Sequence, residues 1–202
     1  MIRVDVSAAT PAPWSNGGGV TRELLRLPAG SGDDWTLRIS VADIDADGPF
    51  SPFPGVTRWF AVVDGDGVRL RFADRALDVR RGDAPLRFDG AGAPGCALLA
   101  GRTRDLNVMV RSERADALVT SATFLDEAEP GPGPGFGFFA LQPVALHVAA
   151  AQPIEMPALS LAWCESPVEA ARAWAISPLH DTPPAQAHTV PGYWIRLLPP
   201  TR

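Results

Sequence analysis

The sequence predicts an all-β protein, and three observations predict it. Over residues 1–125, strand-length runs alternate with turn clusters at short spacing, the pattern of antiparallel sheets rather than of strands joined by crossover helices. The 202 residues include 21 Pro and 19 Gly, a composition that favours many turns over long helices. Residues 35–41 alternate strictly, with Trp35, Leu37, Ile39 and Val41 on one side and Thr36, Arg38 and Ser40 on the other.

In chain order, Asn16-Gly17-Gly18-Gly19 opens onto a strand in which Thr21 and Glu23 share one face while Val20, Arg22 and Leu24 share the other. The run 57–63 is more uniformly apolar. Asp64-Gly65-Asp66-Gly67 then carries hairpin-turn chemistry before Val68, Leu70 and Phe72 resume the alternation, so a β-hairpin is expected there. Further strands are expected at 85–88, 96–99, 105–111 and 117–124, with Asp105, Asn107, Met109 and Arg111 on one face of the third. Residues 127–137 are a Pro/Gly stretch without periodicity, read as a linker or loop. Beyond it, 138–148, 158–163 and 193–198 read as strands and 167–175 as one short helix or turn. The expected organisation is a first barrel-like unit at 1–126, the linker at 127–137, and a reduced second unit at 138–202 packed on the first.

Composition excludes several function classes. The net charge is -5 and all 18 basic residues are Arg, with no basic run interleaved with aromatics, so no nucleic-acid partner is expected. The N-terminal residues, with Arg3 and Asp5, do not read as a secretory signal. No run approaches the ~20 apolar residues that span a bilayer, so no membrane partner is expected and a cytoplasmic location is. Cys96 and Cys164 have no CxxC spacing and read as reduced thiols. The three histidines, His147, His180 and His188, form no HxH or HExxH pattern, so no metal and no cofactor are expected. There is no GxSxG elbow for a nucleophile.

What remains is a set of polar faces. Arg38 with Ser40, and Asp105 with Asn107, are either solvent faces of antiparallel strands or the walls of a pocket. Asp, Asn and Ser are poor strand formers, and their clustering in mid-strand favours the pocket. In that arrangement Arg38 receives a carboxylate in bidentate fashion, Asn16 and Asn107 offer amides, and Glu23 or Asp105 takes an N–H or serves as a general acid and base. The loop Asp47-Gly48-Pro49-Phe50-Ser51-Pro52-Phe53-Pro54-Gly55 is stiffened by three prolines. It is either a wall presenting Phe50 and Phe53 or a purely structural corner. Arg58, just after it, pairs with Asp47 or reaches the pocket.

The motifs Pro13-Trp14-Ser15-Asn16-Gly17-Gly18-Gly19-Val20-Thr21-Arg22-Glu23, Leu37-Arg38-Ile39-Ser40, the loop at 47–55 and Asp105-Leu106-Asn107-Val108-Met109 together resemble the HutD/Ves family of bacterial proteins over residues 10–112. The resemblance implies a cupin-type (RmlC-like jelly roll) double barrel, a bicupin whose second barrel is divergent. It implies a ligand site built from Asn16, Thr21, Glu23, Arg38, Ser40, Asp47, Phe50, Ser51, Asp105, Asn107 and Met109. It also implies a regulator or sensor in histidine utilisation that binds a small carboxylate, with urocanate or formylglutamate as candidate ligand. The alternatives are a metal-independent enzyme, an isomerase or hydrolase using Glu23 or Asp105, and an oligomerising scaffold. A homodimer is compatible with exposed barrel edges. Two positions depart from the family pattern: Ser15 stands where a Lys is usual and Thr57 where an acid is usual.

Overall fold

The computed structural model describes residues 1–124, 127–129, 131, 133–149, 151–165, 173–179 and 190–200. The chain is all-β. In its first part the strands are β1 (Ile2–Asp5), β2 (Pro11–Pro13), β3 (Gly19–Leu27), β4 (Leu37–Ile44), β5 (Gly48–Pro49), β6 (Val56–Asp64), β7 (Val68–Arg71), β8 (Ala76–Val79), β9 (Leu86–Asp89), β10 (Gly95–Leu98), β11 (Thr103–Arg111) and β12 (Asp116–Ser121). They are followed by β13 (Gly135–Ala140), β14 (Val144–Val148), β15 (Ile154–Met156), β16 (Ser160–Cys164), β17 (Trp174–Pro178) and β18 (Gly192–Leu198). No helix among the described residues is long and apolar enough to cross a membrane.

Two compact units form. One is Ala9–Asp116, the other Met1–Ala8 with Ala117–Pro199. The first unit holds a six-stranded sheet, β2-β3-β4-β11-β6-β9, and a four-stranded sheet, β5-β10-β7-β8. Ile44, Phe60, Val62 and Phe88 from the large sheet and Val68, Leu70, Val79 and Cys96 from the small one share a single buried cluster, so the two sheets face each other. The opposite side of β4 and β11, bearing Leu37, Ile39, Val41, Leu106, Val108 and Val110, is also buried. These strands are therefore covered on both faces, and every polar side chain on them needs a partner.

The second unit pairs a five-stranded sheet, β1-β16-β13-β18-β12, with a three-stranded one, β15-β14-β17. Phe136, Phe138 and Trp194 of the large sheet meet Leu146, Met156, Trp174 and Ile176 of the small one in one cluster. Phe136 stacks on Trp194 at 5.6 Å between centroids and meets Trp174 edge-on at 5.2 Å.

The structure corrects four readings of the sequence. The division of the chain falls at 8/9 and 116/117 instead of at 127–137, because β1 pairs with β16 and so draws the N-terminus into the second unit. The Gly135 and Gly137 positions are strand, not linker: a Cβ on either would collide with Trp163, whose ring lies across β13. Glycine is there to admit an indole. The turn at 64–67 exists, but β6 and β7 do not pair. β6 lies between β11 and β9, while β7 lies between β10 and β8. Gly65 (φ 84°) and Gly67 (φ 103°) pass so close to the backbones of Arg102 and Val79 that no side chain fits, and the turn carries the chain from one sheet to the other. The run 138–148 likewise breaks into β13 and β14, which belong to different sheets. The expected helix at 167–175 lies largely outside the described residues, and its described end, Trp174 and Ala175, is strand.

Candidate functional site

Register brings the polar faces together. Across the large sheet of the Ala9–Asp116 unit, Thr21 on β3 stands opposite Ala42 on β4, and Ala42 opposite Asp105 on β11. The next row is Glu23, Ser40, Asn107 and Phe60, and the one after it places Met109 between Arg38 and Arg58. Side chains two apart on each strand point the same way, so three rows of polar groups share one face.

Two loops close the mouth. Gly17 (φ 72°) allows Trp14–Gly18 to turn tightly, and Gly19 lies against the Asp43 carbonyl and the Trp14 ring where a Cβ would collide. Asn16 Oδ1 accepts the Gly18 N–H at 3.0 Å, which fixes the amide and leaves Nδ2 as its donor. Trp14 Nε1–H donates to Thr21 Oγ1 at 2.7 Å, so the threonine hydroxyl is oriented from outside. The second loop is pinned by Phe50 N–H to the Pro94 carbonyl (3.0 Å) and Phe53 N–H to the Gly90 carbonyl (2.9 Å). The result is a cavity of ≈ 230 Å³.

Of the residues singled out in the sequence, Asn16, Thr21, Arg38, Ser40, Phe50, Ser51, Asp105, Asn107 and Met109 line this cavity. Glu23 and Asp47 do not. Glu23 is on the right face, but its carboxylate accepts from Arg38 Nε at 2.9 Å and from Arg26 Nε at 2.8 Å. Burial raises the Glu23 carboxyl, and the hydrogen bonds from Arg26 and Arg38 outweigh it and hold the group below the usual range. It positions Arg38. The Asp47 carboxylate accepts the Leu98 N–H at 2.8 Å and braces the loop. Pairing between Asp47 and Arg58 does not occur.

Phe53 and Arg58, for each of which the sequence left the pocket and another role open, line the cavity, and so do Trp14, Ser15, Ala42 and Pro49. Ala42 was readable from parity, two residues beyond Ser40. Arg58 is the lone charge in an apolar run, on the same face as Phe60 and Val62, and it is its burial that decides for the pocket over Asp47.

Arg58 is the centre of the electrostatics. It is 6% exposed, its guanidinium lies 4.7 Å from the Phe50 ring centroid and 5.3 Å from that of Phe88, and its Nη2 donates to Asn107 Oδ1 at 2.5 Å. Asn107 Nδ2 donates in turn to Asp105 Oδ2. Two atoms at the ends of this chain, Arg58 Nε and Asp105 Oδ1, have no hydrogen-bond partner. Burial lowers the Arg58 guanidinium to about 10 against the opposing pull of Asp105. Burial pushes the Asp105 carboxyl, 1% exposed, up to about 7, although Arg58 and the Asn107 hydrogen bond pull it down. Burial, with Asp105 nearby, pushes the Cys96 thiol up to about 12. The pocket therefore presents one deeply buried cation, a carboxyl poised between two protonation states, and neutral amide and hydroxyl groups. That set suits an anion with hydrogen-bonding capacity.

No group of three His, Cys, Asp or Glu among the described residues could hold a metal ion. His147 sits in the other unit, with Nε2 at 2.9 Å from Ser177 Oγ, while His180 and His188 lie outside the described residues. Cys96 and Cys164 are not disulfide-linked.

A family model described as HutD matches residues 7–176. The chain is 36% identical over 102 residues to an uncharacterized 21.2 kDa protein in the hutC 3' region of Pseudomonas putida, covering 50% of this chain and 54% of that one. It is 35% identical over 110 residues to Protein Ves of Citrobacter koseri, covering 54% and 57%. The chain thus spans about half the length of the curated relatives it matches. Among solved structures it is similar to HutD from Pseudomonas fluorescens SBW25, with a TM-score of 0.77 at 21% identity over 98% of both chains. Its fold is also like that of oxalate decarboxylase from Lactobacillus farciminis, with a TM-score of 0.58 at 9% identity, covering 100% of this chain and 87% of that one. The fold is cupin-like.

Proposed function

The chain belongs to the HutD family, and from that premise we propose that it is a metal-free binder of a small carboxylate metabolite, acting as a regulator or sensor in histidine utilisation, with urocanate and formylglutamate as candidate ligands. One observation carries the reading: the guanidinium of Arg58, buried and with no hydrogen-bond partner for its Nε, belongs to a residue that lines the ≈ 230 Å³ cavity together with Arg38, Ser40 and Asn107. A buried cation with a spare donor calls for an anionic acceptor. The volume lies below the roughly 300–1,000 Å³ typical of sites for drug-sized ligands, which suits a small acid rather than a cofactor or a peptide. The name of the Pseudomonas putida relative, which places it beside hutC, supports the pathway. In this reading the two units are a pair of cupin-type barrels, the first carrying the pocket and the second divergent.

The test is a thermal-shift titration of the full chain with urocanate, N-formylglutamate and related acids. A true ligand at 100 times its Kd adds about 2.7 kcal/mol of stability. The shift is expected to vanish in Arg58→Met. Silence from every acid on the wild-type protein ends the assignment.

One observation favours a second reading. Asp105, which lines the pocket with its carboxyl raised to about 7 and its buried Oδ1 unpartnered, is suited to general acid and base work, whereas Glu23, locked between two arginines, is not. Turnover of any of these acids, abolished in Asp105→Asn, would establish a metal-independent isomerase or hydrolase.

A further inference from the structure

The hydrogen-bond chain in the pocket has a fixed polarity. Arg58 has only donors, so the Asn107 atom that faces it must be the carbonyl oxygen. Asn107 therefore turns its Nδ2–H toward Asp105 Oδ2, and Oδ2 is an acceptor. Oδ1 is left as the one oxygen of Asp105 without a neighbour to bond, in a side chain that is almost wholly buried.

Resting on the small-acid reading above, we propose that Asp105 serves the pocket in its protonated form, donating from Oδ1–H to the ligand, and that the ligand class is a dicarboxylate, or a carboxylate bearing a second hydrogen-bond acceptor, held between Asp105 and the guanidinium of Arg58.

The charges around Asp105 support this. On its own strand its inward neighbours are Asn107 and Met109, both neutral. From β4 it meets Ser40 and Ala42, while Asp43, on the far side of that strand, is held by Arg22, Arg102 and Arg104 and adds a repulsive field. From β6 comes Arg58, and from β10 comes Cys96, a neutral thiol. Across β3 and β4, Glu23 joins Arg26 and Arg38 in a cluster with one surplus positive charge. A carboxylate that satisfies Arg58 Nε enters the same small cavity as Asp105. Two carboxylates at such range with one deeply buried cation between them are stable only when one holds a proton. The proton sits where nothing donates, on Oδ1, and its hydrogen bond to the ligand completes the chain from Arg58. The carboxyl, already raised to about 7 by burial, rises further on binding.

Binding therefore takes up a proton above neutrality. Glutarate is the probe for the dicarboxylate class and urocanate for the carboxylate with a second acceptor. Calorimetry at pH 7.5, in two buffers of different ionisation enthalpy, is expected to show an uptake of more than half a proton per site. Affinity is expected to be flat below pH 6 and to fall about tenfold per pH unit above 7. Asp105→Asn reproduces the same donor and acceptor pattern without the titration. At pH 8.5 it is expected to bind roughly thirtyfold tighter than the wild type. Wild-type binding that is independent of pH from 5.5 to 8.5, or lost in Asp105→Asn, overturns the proposal and leaves the small-acid reading standing. Binding of neither acid to either protein at any pH overturns the proposal, and silence from N-formylglutamate as well overturns the small-acid reading with it.

Discussion

The unit formed by Met1–Ala8 and Ala117–Pro199 interlocks rings between its sheets and has a ≈ 240 Å³ cavity whose lining includes Glu127, Glu129 and Arg196, whereas the ≈ 230 Å³ cavity of the Ala9–Asp116 unit is lined by Arg38, Arg58 and Asp105, the last two almost wholly buried. Both set a larger sheet against a smaller one. In the first, Phe136, Phe138, Trp174 and Trp194 interlock at centroid distances of 4.7 to 5.6 Å, and the polar atom they leave buried without a partner is the neutral Trp174 Nε1. In the second, the apolar cluster around Phe60, Val62 and Leu70 occupies only one part of the inner face, and the rest is given to Arg38, Ser40, Arg58, Asp105 and Asn107. A packed apolar interior is the stable solution for such a layer. Burying charge beside unsatisfied polar atoms is costly and persists where a ligand repays it. On the small-acid proposal, recognition belongs to the Ala9–Asp116 unit.

The largest expected effect breaks the ring-filled side of the comparison. Phe138→Ala leaves a cavity beside Trp194 and is expected to cost about 3–5 kcal/mol, read as a lowered urea midpoint. A cost below ~1 kcal/mol would show that this interior is loosely packed. The next effect tests the charged side. The Asp105 carboxyl is raised above its unfolded value, so its burial is fully tolerated only at low pH, and stability is lost as pH rises toward about 7. Asp105→Asn lacks that loss. The variant is expected to gain roughly 3 kcal/mol on the wild type between pH 5 and pH 8. Stability differences that stay constant across that range would mean that Asp105 ionises freely in the fold.

The same contrast explains what could be read in the sequence. Parity on β4 and β11 found Arg38, Ser40, Asp105 and Asn107, because both strands are regular and their polar residues stand two apart. Glu23 was assigned to the correct face but not the correct partner, since only the three-dimensional register reveals Arg38 at hydrogen-bond distance. Arg58 was left undecided between Asp47 and the pocket because its strand is apolar around it, and sequence does not tell a buried guanidinium from an exposed one. The hairpin at 64–67 failed for a topological reason. Turn chemistry specifies a reversal of the chain but not whether the next strand returns to the same sheet. In the other unit, the string Gly135-Phe136-Gly137 looked like linker because a glycine that makes room for Trp163 is identical, in sequence, to one that confers freedom.

A third substitution separates the binding and the stability of the charged interior. Arg58→Met keeps an unbranched apolar stem and removes the guanidinium that lies over Phe50 and Phe88. Replacing a buried ion with an apolar isostere is often neutral or better, and Asp105, deprived of its cation, stays protonated at pH 6. Stability at pH 6 is expected to change by less than about 1 kcal/mol, while every acid-induced thermal shift disappears. Loss of folding together with binding would make Arg58 a structural residue and the pocket an incidental gap.

The smallest effect concerns the support behind the pocket. Glu23 is 32% exposed and bridges Arg26 and Arg38, so screening by solvent limits the bridge to about 0.5–1 kcal/mol. Its carboxyl is held below the usual range, so the contribution is present above its unfolded value near 4.5 and is lost as pH falls through the lower folded one. Glu23→Gln is therefore expected to be mildly destabilising at pH 7 and nearly neutral in strong acid, by urea denaturation at both. Arg38 in the variant loses its tether, and the acid that binds Arg58 at pH 7 is expected to bind a few-fold more weakly. If stability falls while affinity is untouched, Arg38 belongs to the frame of the pocket and Arg58 alone holds the anion.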